Sequence, residues 1–164
     1  MQIKLIGQTN TNNNYDKKNT ANLCISQTAH TNNNEKHTNS KYLDENILPV
    51  GLKATTSLNE AFEYSNIYVL AVPAQTLREN LTAWKPMVQP NALFISTLKG
   101  IELSTMSRMT EIISEVLETQ NIAIITGPNL ANELVLRQPA GAVAAAPAIG
   151  IAEKVQQLFT TPYY

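Results

Sequence analysis

The chain has one cysteine and two histidines, and they form no cluster with metal-ligand spacing. A lone thiol, Cys24, has no partner for an internal disulfide, and a reducing cytoplasm is the compartment this fits. Charged residues make up only 15% of the 164 residues, and 12 basic side chains nearly cancel 13 acidic ones. That balance gives no electrostatic reason to expect nucleic acid or an anionic membrane as partner. No apolar run approaches the length of an integral membrane segment. The first residues, Met1 to Ile6, are a short apolar start around one lysine and then turn polar, which is not a secretory signal. There is no serine elbow of the hydrolase kind and no internal repeat. What remains is 43% hydrophobic, enough for one domain with a sizeable core.

Order is read most easily around Phe94-Ile95-Ser96-Thr97-Leu98-Lys99-Gly100-Ile101-Glu102, a buried strand that ends at a lysine and a glycine with a helix to follow. Further on, Ile122 to Ile125 is a second short apolar run, followed by Thr126-Gly127-Pro128-Asn129 and another helix. Taken from the start, Met1 to Ile6 reads as a strand ended by Gly7. Residues 8–40 are dominated by Asn and Thr, poor helix formers that favour turns. Within them only Ala21 to Ile25 has the makings of a strand. This segment is either loop-rich and partly disordered or a shortened crossover helix; the gap from Gly7 to Ala21 just reaches a parallel crossover.

From Tyr42 the pattern becomes regular. Leu48 to Leu52 is a turn and Lys53 to Thr56 a short strand. Ser57 and Glu60 form a capping box for a helix over Leu58 to Tyr64. Ile67 to Val72 is a continuous apolar run, as a strand covered on both faces requires. Ala74 to Trp84 is a helix with Leu77, Leu81 and Trp84 on one face. Ala92 to Ser96 is the next strand, and Ser104 or Thr105 caps a long helix whose stripe is Met106, Met109, Ile112, Ile113, Val116 and Leu117, with both methionines in the core. Ile122 to Ile125 is a strand, Leu130 to Leu136 a helix, Ala140 to Ala146 a strand in preference to a helix, and Ile149 to Phe159 the final helix. The alternation predicts an α/β fold, a doubly wound and mostly parallel sheet with helices on both faces. Gly7, Pro73, Lys99 and Gly127 then fall along one edge, where such folds bind ligands.

The chemistry that edge offers is mixed. Gly7-Gln8-Thr9-Asn10-Thr11-Asn12 stands where a dinucleotide fold carries Gly-x-Gly-x-x-Gly, and keeps only the first glycine. No acidic residue clearly ends a second strand to hold a ribose; Ser26-Gln27-Thr28 occupies that place. Lys99 reads either as a solvated turn lysine or as an ammonium held for a phosphate or carbonyl. Thr126-Gly127-Pro128-Asn129 reads either as a tight turn and helix cap or as a helix start facing an anion. His30 and His37 are expected on the exposed surface, and Cys24 in the core.

Leu52-Lys53-Ala54-Thr55-Thr56, Val72-Pro73-Ala74-Gln75, Leu98-Lys99-Gly100-Ile101-Glu102 and Thr126-Gly127-Pro128-Asn129-Leu130-Ala131-Asn132-Glu133, in this order and spacing, resemble the N-terminal domain of bacterial NAD(P)-dependent glycerol-3-phosphate dehydrogenase. Lys36 to Leu43 resembles that family's approach to its third strand. The resemblance implies a Rossmann-like domain over 1–164, with 8–40 an atypical segment, that binds NAD or NADP. It implies hydride transfer between the coenzyme and dihydroxyacetone phosphate or glycerol 3-phosphate, in the cytoplasm and in service of phospholipid synthesis. By it, Lys99 contacts coenzyme and substrate, Gly127 and Asn129 the substrate, and Gly7 and Ala131 the coenzyme. The family's proton-transferring lysine lies in a helical C-terminal domain expected to be missing here, so no catalytic residue is assigned and this chain alone is expected not to turn over. The resemblance also implies a homodimer for the full-length protein. A side chain at Thr9 or Asn12 would crowd a pyrophosphate. Two other readings stand beside this one: another dehydrogenase on the same fold, and a non-catalytic nucleotide-binding or interaction domain derived from it.

Overall fold

The computed structural model of the chain describes residues 3–7, 20–23, 32–43, 45–63 and 65–164. Seven strands form one sheet: β1 (Ile3–Gly7), β2 (Thr20–Leu23), β3 (Lys53–Thr55), β4 (Ile67–Ala71), β5 (Leu93–Ser96), β6 (Ile122–Thr126) and β7 (Val143–Ala145). Their order is β3-β2-β1-β4-β5-β6-β7. Every pairing is parallel except the last, where β7 runs antiparallel to β6. The expected mostly parallel sheet therefore holds through β6, and the final strand closes that side of the sheet as an antiparallel edge. Of the atypical stretch over 8–40, the described part includes β2, slightly ahead of the expected Ala21 to Ile25, and a single π-helical turn, Asn32–Lys36.

Among the described residues the α-helices are α1 (Ser40–Leu43), α2 (Leu58–Phe62), α3 (Leu77–Trp84, entered through a 3-10 turn at Ala74–Thr76), α4 (Met109–Leu117), α5 (Ala131–Val135) and α6 (Ile149–Phe159). Alternation along β4 and β5 explains why these strands are apolar without interruption. Tyr68, Leu70 and Phe94 point to one face and pack with Leu77, Leu81 and Trp84 of α3 and Met109, Ile112 and Ile113 of α4. Ile67, Val69, Leu93 and Ile95 point to the other and meet Val155 of α6. Burying each such side chain contributes about 1.5–3 kcal/mol. Phe62, Tyr68, Phe94 and Trp84 form a chain of ring contacts with centroids 4.9 to 5.9 Å apart. The Tyr68 hydroxyl, which has no water to turn to, donates to the carbonyls of Phe62 (3.1 Å) and Ser65 (2.5 Å). Burial raises its pKa above the ordinary phenol value.

Local signals decide several boundaries. The Ser57 hydroxyl accepts from the Glu60 N–H at 3.3 Å and starts α2 as its sequence predicts. The helix following β5 departs from expectation. It begins at Met109, not near Thr105, because residues 101–108 fold into a closed loop pinned by an Ile101–Arg108 bridge. The Glu111 carboxylate accepts from the Arg108 N–H at 2.8 Å and holds the helix start. Met106, expected in the core, sits in this loop with φ 61° and is 67% exposed. Its N–H is drawn to the Glu102 carbonyl at 2.8 Å, which fixes the tight turn. Met109 is buried as expected.

Candidate functional site

The ladder registers align the C-terminal ends of the central strands: Gly7 pairs with Ala71, Leu70 with Ser96, and Ser96 with Ile124. Gly7, Pro73, Lys99 and Gly127 accordingly lie at one crest. The chain runs outward from β1 to β2 and β3 and then returns to β4 beside β1, so the switch point of the sheet lies between β1 and β4.

Lys99 is carried three residues past the end of β5. Thr97 ties that exit to β4, donating through its N–H (3.1 Å) and hydroxyl (2.8 Å) to the Leu70 carbonyl. Leu98 is buried and turns Lys99 outward, where it is exposed. Its ammonium donates to the Gly127 carbonyl at 3.1 Å. That bond joins the loops after β5 and β6 and brings Lys99 to within two residues of Asn129 along the chain. Gly100 follows at φ 99°, a conformation that L side chains rarely adopt.

The next residue the sequence leaves unremarked is Glu102. It is 6% exposed, and its carboxylate accepts from Arg78 of α3 at 2.9 Å, 3.2 Å and 2.9 Å. It also accepts from the Thr105 hydroxyl. The other side of the Arg78 fork donates to Glu115 of α4. The Arg78 hydrogen bonds, then that of Thr105, hold the Glu102 carboxyl below the ordinary carboxylate range, and Glu102 and Glu115 together raise the guanidinium's already high pKa. Gln75 makes a second tie: its amide donates to the Ile101 carbonyl at 2.8 Å and accepts from the Leu103 N–H at 3.0 Å. An Arg–Glu pair 24 residues apart is not readable from spacing; the helical register of α3, which turns Arg78 away from the buried Leu77 and Leu81, is the only hint.

Gly127 has a packing reason to be glycine. A Cβ there would meet the Gly141 carbonyl oxygen, the Asn129 Nδ2 at 2.9 Å and the Ala142 Cα at 3.0 Å. Asn129 is not the cap of α5, which starts after Leu130 without a side-chain cap bond. Its amide nitrogen instead donates to the Tyr164 hydroxyl at 3.2 Å, and its Oδ1 is buried with no protein partner. Burial raises the Tyr164 pKa. With five residues, α5 is too short for a developed helix dipole. Ala131, its first residue, is half-buried and packs with Val135 on Leu43, Leu48 and Leu52. α1, from the segment leading to the edge strand β3, thereby touches the helix that leaves β6, five strand intervals away, or about 24 Å at about 4.8 Å each.

His37, expected exposed, is half-buried, with Nδ1 buried and unpartnered. It stands at φ 51° where Thr38 bridges to Ile47, and this turn folds its ring inward. Thr9, Asn12, Cys24, His30 and Ser26-Gln27-Thr28 lie outside the described residues, so the glycine-poor loop and the ribose position do too. A cavity of about 450 Å³ lies elsewhere, between α6 and the β6–β7 edge, lined by Ile125, Ala144, Ile149, Phe159 and Tyr164 among others. Neither Lys99 nor Asn129 lines it.

Residues 4–152 match the family described as NAD-dependent glycerol-3-phosphate dehydrogenase N-terminus. The chain belongs to this family. Among curated relatives, the glycerol-3-phosphate dehydrogenase [NAD(P)+] of Streptomyces coelicolor is 43% identical over 133 residues, which is 80% of this chain and 40% of that protein. The Thermobifida fusca protein of the same name is 46% identical over 133 residues with the same coverage. The chain thus spans about 40% of the length of the curated relatives it matches. Two solved structures of glycerol-3-phosphate dehydrogenase share the fold. That from Coxiella burnetii superposes with TM-score 0.87 at 18% identity, over 99% of this chain and 51% of the other. That from Plasmodium falciparum gives 0.88 at 23%, over 99% and 50%. The Rossmann-like architecture of this glycerol-3-phosphate dehydrogenase N-terminal domain is therefore that of its family. No described helix is long and apolar enough to cross a membrane.

Proposed function

We propose that this chain is the coenzyme-binding part of an NAD(P)-dependent glycerol-3-phosphate dehydrogenase. The reaction is hydride exchange between NADH or NADPH and dihydroxyacetone phosphate, giving glycerol 3-phosphate, in the cytoplasm and toward phospholipid precursors. One observation carries the reading beyond family membership. Lys99 presents an exposed ammonium at the crest, one switch point away from Gly7, and its recorded partner is a neutral carbonyl. A cation whose partner is neutral keeps its charge for a phosphate-bearing ligand.

The residues fit an anionic coenzyme and a small phosphate substrate. Gly7 ends β1 at the switch point, where the backbone must come close to a pyrophosphate. Lys99 neutralises phosphate charge and orients whichever carbonyl or phosphate oxygen it meets. Asn129 brings an amide oxygen that no protein group satisfies, and Gly127 lends the carbonyl on which Lys99 rests. Ala131 presents a small side chain at the start of α5. The nicotinamide ring supplies the hydride chemistry when bound; this chain's residues bind, orient and neutralise. A helical C-terminal domain supplies the remaining substrate contacts, and the full-length protein assembles as a homodimer.

A second reading has its own observation. Thr9 and Asn12 stand where the family's loop has glycines, which favours a non-catalytic nucleotide-binding or interaction domain. Fluorescence titration with NADH and NADPH separates the two, using the chain as it is, Lys99→Ala, and the double variant Thr9→Gly, Asn12→Gly. Binding that Lys99→Ala weakens about tenfold, as the loss of a charged hydrogen bond predicts, supports the dehydrogenase reading. Absence of NADH binding in the chain and in the glycine-restored variant alike refutes it.

A further inference from the structure

We infer that Gln75 and Glu102 are positioning residues for Lys99, clasping the Lys99-Gly100-Ile101-Glu102 turn to the start of α3 so that its ammonium stays at the crest. The inference rests on the role given to Lys99 above.

The turn has little else to hold it. Lys99 and Gly100 are exposed, as are Leu103 to Met106. The bonds inside the loop, Ile101 with Arg108, Glu102 N–H to the Ser107 carbonyl and Met106 N–H to the Glu102 carbonyl, fold it onto itself. They do not fix it to the sheet. Beyond the bonds of Thr97 to β4, the ties that do come from the 3-10 turn and α3 that follow β4. Gln75 reads the backbone on both sides of Glu102, as a neighbouring strand would. Arg78 grips the Glu102 carboxylate with three contacts in a planar fork. The ties thus form a series: Gln75 and Arg78, from the 3-10 turn and α3 after β4, hold the loop after β5, and Lys99 in turn holds the loop after β6 through Gly127. Glycine at 100 gives the turn its shape at φ 99° but also its freedom. An ammonium misplaced by about 1 Å can cost on the order of 10²-fold in a reaction it orients, so the clasp acts on function through Lys99.

The test has two arms, both on the intact chain. The first needs no ligand: amide hydrogen exchange of residues 101–103 and NMR order of Lys99, in Gln75→Ala and Glu102→Gln beside the parent. Exchange about tenfold faster and lower order at Lys99, with the central strands unchanged, is expected. Gln75 is exposed, so its variant keeps the fold even if Glu102→Gln does not. The second arm is a double-mutant cycle on NADH affinity. Gln75→Ala is expected to weaken binding about fivefold with Lys99 present and by less than about twofold in Lys99→Ala. Unchanged exchange and order overturn the inference, and so does equal weakening in both backgrounds. If neither the parent chain nor the Thr9→Gly, Asn12→Gly variant binds NADH, the function proposed above falls, and the first arm alone then decides whether the clasp holds Lys99.

Discussion

Gly127 and Gly100 show how two glycines 27 residues apart can be needed for different reasons. At Gly127 the obstacle is neighbouring backbone, the Gly141 carbonyl and the Ala142 Cα, which cannot rotate away as a side chain can. Gly127→Ala is expected to cost about 1–3 kcal/mol in urea denaturation. Gly100 has open space around it and a φ of 99°, so Gly100→Ala is expected to cost about 1–3 kcal/mol through backbone strain alone. Gly141→Ala, with no atom within 4 Å of the added carbon and no positive φ, is the matched control and should stay within about 0.5 kcal/mol. The sequence made Gly127 conspicuous, in a Gly-Pro-Asn turn, but not the reason. Its neighbours at 141 and 142 arrive on the loop that enters β7, and no local pattern encodes that approach. Asn129 carries the same lesson. A cap is the ordinary fate of an asparagine before a helix, yet its amide is taken by Tyr164, 35 residues away.

At the scale of elements, what could be read was what repeats. Periodicity locates β4, β5, β6 and α6 to within a residue, and α3 together with its 3-10 entry turn, because each is covered by a hydrophobic surface of matching period. Leu81 shows the strength of that signal: it is 0% exposed in the α3 stripe, and Leu81→Ala is expected to cost about 2–5 kcal/mol by thermal or urea unfolding. The start of α4 was misplaced because two hydroxyl residues, Ser104 and Thr105, imitate a cap. Thr105 gives its hydroxyl to the Glu102 carboxylate, and the chain stays non-helical until Arg108. In the Asn-rich stretch composition does not reveal pairing. Asn34 is not a loop filler there. Its side-chain amide accepts from the Ala54 N–H and donates to the Ala54 carbonyl, both at 2.8 Å.

At the scale of the molecule, four carboxylates among the described residues lean on cations: Glu102 and Glu115 on Arg78, Glu111 on Arg108 and Glu118 on Lys85. Each is held below its ordinary range, so between that range and the folded values the unfolded chain binds more protons. Stability from these groups is complete above the unfolded carboxylate pKa of about 4.3 and is lost as pH falls through the folded values. The urea midpoint should therefore drop on acidification below about pH 4, and Glu102→Gln should flatten the drop. Added salt should remove the shares of the exposed Arg108–Glu111 and Lys85–Glu118 pairs first. The crest, too, belongs to this scale. Its residues are contributed by the end of β1 and the loops after β4, β5 and β6, and only the strand order β3-β2-β1-β4-β5-β6-β7 makes them neighbours.

The pairing of Asn34 with Ala54 has a consequence for the protein in concentrated solution. β3 is the outermost strand on its side, and an outermost strand offers its peptide groups to any extended chain that drifts past. Here a carboxamide, which copies the donor and acceptor of a peptide, already fills the slot at Ala54. Asn34→Leu should uncover that rim without disturbing the central strands. The expected sign is light scattering that grows with protein concentration while the circular dichroism of the monomer stays the same.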